Sequence, residues 1–315
     1  MPELPEVETT ARILNKELRN ISFTNVWIDW KKSISKQPLK SFKKDIVGEK
    51  ILNVSRRAKI IIFKLTNNKF LLAHQKITGH FLVGNWQYCP NQKRKWAPPT
   101  PKASEGQVPF FVKDNPLYDK INDYIHVIFD LSNGKQLAFS DLRKFGWIKL
   151  VKNKKLEEID ELKNLGPEPL EESFTPKILK SRLLKTSRPI KQAIMDPKII
   201  AGIGNIYADE TLFASKINPL IPANKLSDKK IKLLHGAIQS ILRMAIRNKG
   251  TTILSGAEEY RLPKGERGKH QEVVQVYRKE GEPCPVCGEK IKRIKIGQRS
   301  SHFCPNCQIL KQLNR

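Results

Sequence analysis

The chain is 315 residues long, a length that suits two domains better than one. Lys and Arg number 58 against 31 Asp and Glu, and the resulting formal charge of +27 opposes compaction, so a polyanionic partner is expected. A hydrophobic content of 39% excludes wholesale disorder, no run approaches the ~18–20 apolar residues of a membrane span, and Met1–Glu6 lacks the regions of a signal peptide, so the chain reads as soluble and intracellular.

In chain order, Leu4, Val7, Ala11, Leu14 and Leu18 recur at helical spacing and predict an N-terminal helix with one apolar stripe. From about Ile21 to Val151 the pattern is β. Ile51–Val54, Ile60–Leu65, Phe70–Ala73, Ile125–Leu131, Gln136–Ser140 and Trp147–Val151 are short runs of branched and aromatic residues, and Asn133-Gly134 is a hairpin signal. These strands suit a two-layered antiparallel sandwich carrying a helix. Residues 85–123 interrupt the pattern with six prolines and two tryptophans, and are expected to form a long inserted loop.

The character turns helical near Gly166-Pro167-Glu168-Pro169. Ser227 is placed to cap a helix that buries Ile231, Leu234, Ile238, Ile241 or Leu242, and Ala245, with Gly250 as terminator. The expected fold class is α+β, divided into an N-terminal domain over 1–155, a helical domain over 172–273 and a terminal module over 274–315.

That module holds four of the five cysteines. Cys284-Pro285-Val286-Cys287 and Cys304-Pro305-Asn306-Cys307 give two C-x2-C pairs flanking an expected hairpin with arms Lys290–Ile296 and Ser300–Phe303. In a reducing compartment this spacing reads as one tetrahedral zinc site, structural because four thiolates leave no open position. A pair of disulfides is the alternative. Cys89 is read as a reduced bystander.

Five short motifs in order resemble those of the formamidopyrimidine-DNA glycosylases, bifunctional base-excision repair enzymes. They are Pro2-Glu3-Leu4-Pro5-Glu6-Val7-Glu8-Thr9, Arg56-Arg57-Ala58-Lys59, Asp141-Leu142-Arg143-Lys144-Phe145-Gly146, Gly202-Ile203-Gly204-Asn205-Ile206-Tyr207-Ala208, and Gln298-Arg299 in the zinc hairpin. The resemblance implies a β-sandwich, a helix–two-turns–helix domain and a zinc finger that together clamp damaged double-stranded DNA. It implies a monomer, cytoplasmic and associated with the nucleoid.

By the same resemblance, loss of Met1 exposes the Pro2 amine, which attacks the sugar C1′ of a damaged nucleotide. An α-amino group titrates at ~7.7–8.0, so it is appreciably unprotonated near neutrality. Glu3 and Lys59 would move protons during base release and the β,δ-elimination that follows. Arg143 would face the orphaned cytosine, Phe145 would wedge between bases, and Ile77 would take a place that the family fills with methionine. Leu142 stands where the family often has proline. Lys59, His74, Lys191, Asn205 and Arg299 are the implied phosphate contacts, with the start of a helix after Gly204 favouring an anion. Glu6 is read either as a support to the site or as a helix-dipole residue. Residues 251–275 correspond to the loop that closes over an extruded base. The expected lesions are oxidised purines, namely 8-oxoguanine and formamidopyrimidines. A related glycosylase for oxidised pyrimidines, or a zinc-containing DNA-binding protein without chemistry, are the rival readings.

Overall fold

The computed structural model describes residues 2–88, 96–97, 120–253 and 259–310. Cys89, most of the 85–123 insertion, the 254–258 stretch and the last residues from 311 lie outside the described residues. Two compact units emerge. The first takes Met1–Pro2, Glu6–Lys155 and Lys249–Lys269, and the second takes Glu3–Pro5, Leu156–Asn248 and His270–Arg315.

In the first unit, helix α1 (Leu4–Leu18) sends Val7, Ala11, Leu14 and Leu18 into the main apolar core, the stripe expected from their spacing. Two four-stranded antiparallel sheets enclose that core. One runs in the order β1 (Phe23–Ile28), β8 (Ile125–Leu131), β9 (Gln136–Asp141), β5 (Gly79–Gly84). The other runs β10 (Trp147–Lys152), β4 (Lys69–His74), β3 (Ile60–Leu65), β2 (Ile51–Arg57). Phe63 of β3 meets Phe81 of β5 edge-on, with ring centres 5.8 Å apart, and this contact joins the two layers.

The six strands read from sequence are all present, and the β signal hid three more elements. Strand β1 is rich in strand formers, but a register shift between Phe23 and Asn25 breaks its alternation, and β5 begins and ends on glycine, so neither shows a clean period of two. Helix α2 (Leu39–Ile46) lies inside the region read as β; it buries Phe42 and Ile46, a spacing of four that three lysines obscure. Strands β6 (Gln87–Tyr88) and β7 (Trp96–Ala97) pair within the insertion.

Register fixes the loops that matter. Gly79 lies opposite Asp141 in the β5–β9 pair, so the turn entering β5 and the turn leaving β9 are neighbours. In the same unit Ala58, with φ +52°, and Lys59 form the tight turn joining β2 to β3.

The second unit is helical with one hairpin. Helices α3 (Pro176–Leu183), α4 (Ile190–Met195), α5 (Asn205–Ala214) and α6 (Asp228–Arg247) are followed by β11 (Lys292–Ile296) and β12 (Arg299–Phe303). Ser227 Oγ accepts the Lys230 N–H at the start of α6, which buries Ile231, Leu234, Ile238, Leu242 and Ala245. The choice left open between Ile241 and Leu242 falls to Leu242. No helix among the described residues is long and apolar enough to cross a membrane.

Candidate active site and nucleic-acid interface

Glu3 belongs to the helical unit. Its carboxylate is buried and accepts the N–H groups of Gly204 at 2.8 Å, Ile206 at 2.9 Å and Tyr207 at 3.4 Å. The first turn of α5 has no intrahelical partners for these donors, and its dipole favours an anion. The sequence led us to expect a phosphate here. The anion held in this structure is the chain's own third residue. Both glycines of Gly202-Ile203-Gly204 follow from that approach: a Cβ at Gly204 would sit 2.2 Å from the Glu3 carboxyl carbon, and one at Gly202, where φ is +88°, would sit 2.7 Å from Leu4. Leu4 N–H donates to Gly202 C=O at 3.0 Å, so the start of the chain is stitched to this loop on both sides.

Lys191 corrects an expectation. It is 1% exposed, and its ammonium donates to Asp209 Oδ1 at 2.5 Å and to Asn205 C=O at 3.0 Å. Burial pulls its pKa down while Asp209 works in the opposite direction. The partners of this ammonium in the structure are protein groups, where a phosphate was expected. Asp209 also accepts Ser301 Oγ–H at 2.8 Å and the His302 N–H at 3.0 Å, with His302 Nδ1 at 3.0 Å as well. A single buried carboxylate thus ties α4, α5 and β12 together. Asp209 carries no motif of its own, and sequence reasoning passed over it.

Asn205 and Arg299, by contrast, line one groove of about 520 Å³ with Tyr277, Arg278, Arg293 and His302. Three guanidinium groups lie on this concave surface with Glu280, which stands 3.5 Å from Arg293, and the surplus of positive charge suits a phosphodiester.

In the sandwich unit the expected DNA-facing residues converge on the paired turns at Gly79 and Asp141. Thr78 Oγ donates to Asp141 Oδ1 at 2.5 Å, and the Asp141 carboxylate also takes the Gly146 N–H at 2.7 Å. Arg143 N–H donates to Thr78 Oγ at 3.1 Å. These bonds staple the turn carrying half-buried Ile77 to the turn carrying Arg143 and Phe145. Phe145 is 53% exposed, and the Arg143 guanidinium lies 5.0 Å from the centre of its ring. A large exposed ring at the end of a core strand is not serving the core.

His74 ends β4. Its Nδ1 accepts the Lys76 N–H at 2.9 Å, and burial, with the Lys76 and Lys59 charges, lowers its pKa to about 3. The ring is therefore neutral at physiological pH, with Nε2 carrying the proton and free in chemistry to donate. Lys59 is half-buried beside Ala58 in the β2–β3 turn. Glu6 lies in the first turn of α1 and is buried, its Oε1 accepting the Thr251 N–H at 2.7 Å, while the Tyr260 hydroxyl donates to its carbonyl at 2.7 Å. The His80 ring stacks beside Tyr260 at 6.1 Å, with Nε2 2.6 Å from Glu259 C=O. These contacts pin the stem of the 249–269 segment to α1 through Glu6 and to β5 through His80.

The four cysteines Cys284, Cys287, Cys304 and Cys307 bring their sulfurs within 4.8 Å of one another. Neighbouring sulfurs lie 3.5–3.9 Å apart, far beyond the roughly 2.05 Å of a disulfide and close to the ~3.8 Å edge of a tetrahedron with 2.3 Å Zn–S bonds. The disulfide alternative is overturned. Phe213, Val276 and Ile291 pack against the two buried cysteines, so the thiolate cluster is fixed in an apolar base.

Three family models match the chain: the formamidopyrimidine-DNA glycosylase N-terminal domain over residues 1–148, its H2TH domain over 165–256, and a zinc finger found in FPG and IleRS over 281–309. A formamidopyrimidine-DNA glycosylase of Pelotomaculum thermopropionicum is 40% identical over 99% of this chain and 100% of its own length. The chain belongs to the formamidopyrimidine-DNA glycosylase family. Members of this family are base-excision repair enzymes, glycosylase and AP lyase in one, and so is this chain. Among solved structures, the Lactococcus lactis Fpg in complex with abasic-site DNA aligns with a TM-score of 0.79 at 30% identity, covering 98% of this chain and 100% of that one. The Thermus thermophilus MutM (FPG) protein aligns with a TM-score of 0.78 at 32% identity, covering 98% of each chain.

Proposed function

We propose that this glycosylase removes oxidised purines, 8-oxoguanine and formamidopyrimidines, from duplex DNA through a Schiff base on Pro2. The observation that carries the reading is the anchoring of Glu3. Three N–H donors at the head of α5 hold its carboxylate, and the residue bonded to it is the proline whose amine becomes terminal once Met1 is removed.

The Pro2 nitrogen attacks C1′ and the C1′–N bond to the base breaks, with the base leaving on a proton. Glu3 protonates the sugar ring oxygen, which opens the ring and leaves an iminium between C1′ and Pro2. The iminium acidifies C2′, a base removes that proton, and the 3′ phosphate departs by β-elimination. Loss of the 5′ phosphate by δ-elimination follows. Lys59 assists these proton transfers. Glu3 works at short range because its own backbone carries the nucleophile.

Extruding the damaged nucleotide leaves a gap that costs a few kcal/mol to hold open. Phe145 and Ile77 fill it, and Arg143 meets the orphaned cytosine. Isoleucine is stiffer than methionine, so filling by Ile77 depends more on where its backbone sits. Lys59, His74, Asn205 and Arg299 grip phosphates, His74 as a neutral donor. One zinc ion on Cys284, Cys287, Cys304 and Cys307 has a structural role, holding the base of the hairpin that presents Arg299.

Duplexes carrying 8-oxoguanine opposite cytosine and duplexes carrying thymine glycol, cut side by side, test the substrate. Faster cutting of 8-oxoguanine is expected. Preference for thymine glycol would move the protein to the oxidised-pyrimidine branch.

A further inference from the structure

We infer that Trp30 is a positioning residue for the Arg143–Phe145 turn, acting through the Lys144 ammonium that lies over its ring. The inference rests on the reading that this turn enters the duplex.

Lys144 occupies the middle of the turn with φ +57°, in the left-handed region where a lysine gains nothing from its backbone. Something else must favour it there. Its N–H donates to Asp141 C=O at 3.2 Å, and its Nζ sits 4.6 Å from the centre of the Trp30 ring. A cation over an indole face is the strongest form of this contact among the aromatic side chains. With Lys144 drawn onto Trp30, its neighbours Arg143 and Phe145 are both left exposed, stacked on each other at 5.0 Å. The turn is closed at its far end by Gly146, where a Cβ would meet Phe139 at 2.5 Å.

The backbone at Trp30 is fixed on both sides, its own C=O accepting the Ser33 N–H at 2.9 Å. Asp29 N–H donates to His126 C=O at 2.9 Å, continuing the β1–β8 pairing, and His126 Nε2 lies 3.2 Å from Asp141 C=O. Two neighbours therefore meet the turn from below, His126 of β8 at Asp141 and Trp30, just past β1, at Lys144. Neither residue belongs to a motif that the chain's function absorbs. Arg143 and Phe145 consequently meet DNA as one stacked, preset unit, and the entropy of ordering the turn is met before binding.

The test uses the full-length protein with Trp30→Leu, Lys144→Met, the two combined, Trp30→Tyr and Phe145→Ala. Stopped-flow fluorescence of 2-aminopurine placed beside 8-oxoguanine reports extrusion, and single-turnover cutting reports excision. Trp30→Leu and Lys144→Met should each slow extrusion about two- to fivefold, the scale of one exposed cation–π contact. The double variant should be no slower than the slower single, because both remove the same interaction. Trp30→Tyr should restore most of the rate, which marks the ring face rather than lost packing. Full additivity, or normal extrusion in Trp30→Leu while Phe145→Ala is slow, overturns the inference. If Phe145→Ala itself extrudes normally, the wedge reading fails first and takes this inference with it.

Discussion

Lys191 and Arg299 are both cations expected from sequence to touch phosphate, and their surroundings separate them. Lys191 is enclosed with Asp209, whereas Arg299 is exposed in a groove beside Asn205. Binding measured against salt should tell them apart: Arg299→Ala should lower the slope of log K against log salt by about one, and Lys191→Met should leave it unchanged. A slope change for Lys191→Met would put its ammonium back on DNA. Asp209 carries the larger stability burden, since removing it strands a buried ammonium at a cost of about 3–5 kcal/mol. Asp209→Ala should therefore lower the denaturation midpoint far more than Lys191→Met, after which Asp209 still has Ser301 and His302 as donors. At Gly204 the demand is steric. Gly204→Ala drives a methyl into the Glu3 carboxylate, and a displacement near 1 Å should reduce single-turnover excision about 100-fold while metal content matches that of the unaltered protein. Normal excision would detach Glu3 from the chemistry.

At the level of elements, the stem of the 249–269 segment depends on a neutral, buried histidine. Burial lowers the His80 pKa to about 4 against 6.5 when exposed. Between those values the unfolded chain binds a proton that the folded chain does not, so stability is complete above about pH 6.5 and is lost as pH falls toward 4. Depressed carboxylates such as Glu17, held by Lys264, and Glu49, held by Asn67 and Lys69 against its own burial, add to the loss below about pH 4.5. Thermal unfolding followed from pH 7 to 4 should show a falling midpoint, with a shallower fall in His80→Phe. An equal fall in the variant would acquit His80. Strand β3, helix α6 and the zinc hairpin were legible because their apolar periods, caps and cysteine spacing are local signals. Helix α2 and strand β1 were not, because three lysines interrupt the period of one and a register shift between Phe23 and Asn25 breaks the alternation of the other, and only packing against the core selects them. The stem contacts of Tyr260 and His80 join residues 254 and 179 positions from their partners, a separation no local pattern reports.

For the whole molecule, a charge of +27 implied a polyanion, and the ordered motifs made it damaged duplex DNA. Of the residues singled out from sequence, Glu3, Asn205 and Arg299 lie in one unit, and Ile77, Arg143 and Phe145 meet at paired turns in the other. What sequence could not give were the groups that hold them. Asp209 acts through bonds that exist only once the chain has folded, and the staple that Asp141 makes with Thr78 and Gly146 is likewise invisible in the motif that contains it. The account turns on the Pro2 amine, and borohydride trapping on an 8-oxoguanine:cytosine duplex, followed by mass spectrometry of the digested adduct, tests it directly. The account predicts one covalent DNA adduct carried on the nitrogen of Pro2 in protein lacking Met1. An adduct on a lysine, or no covalent species at all, would contradict it.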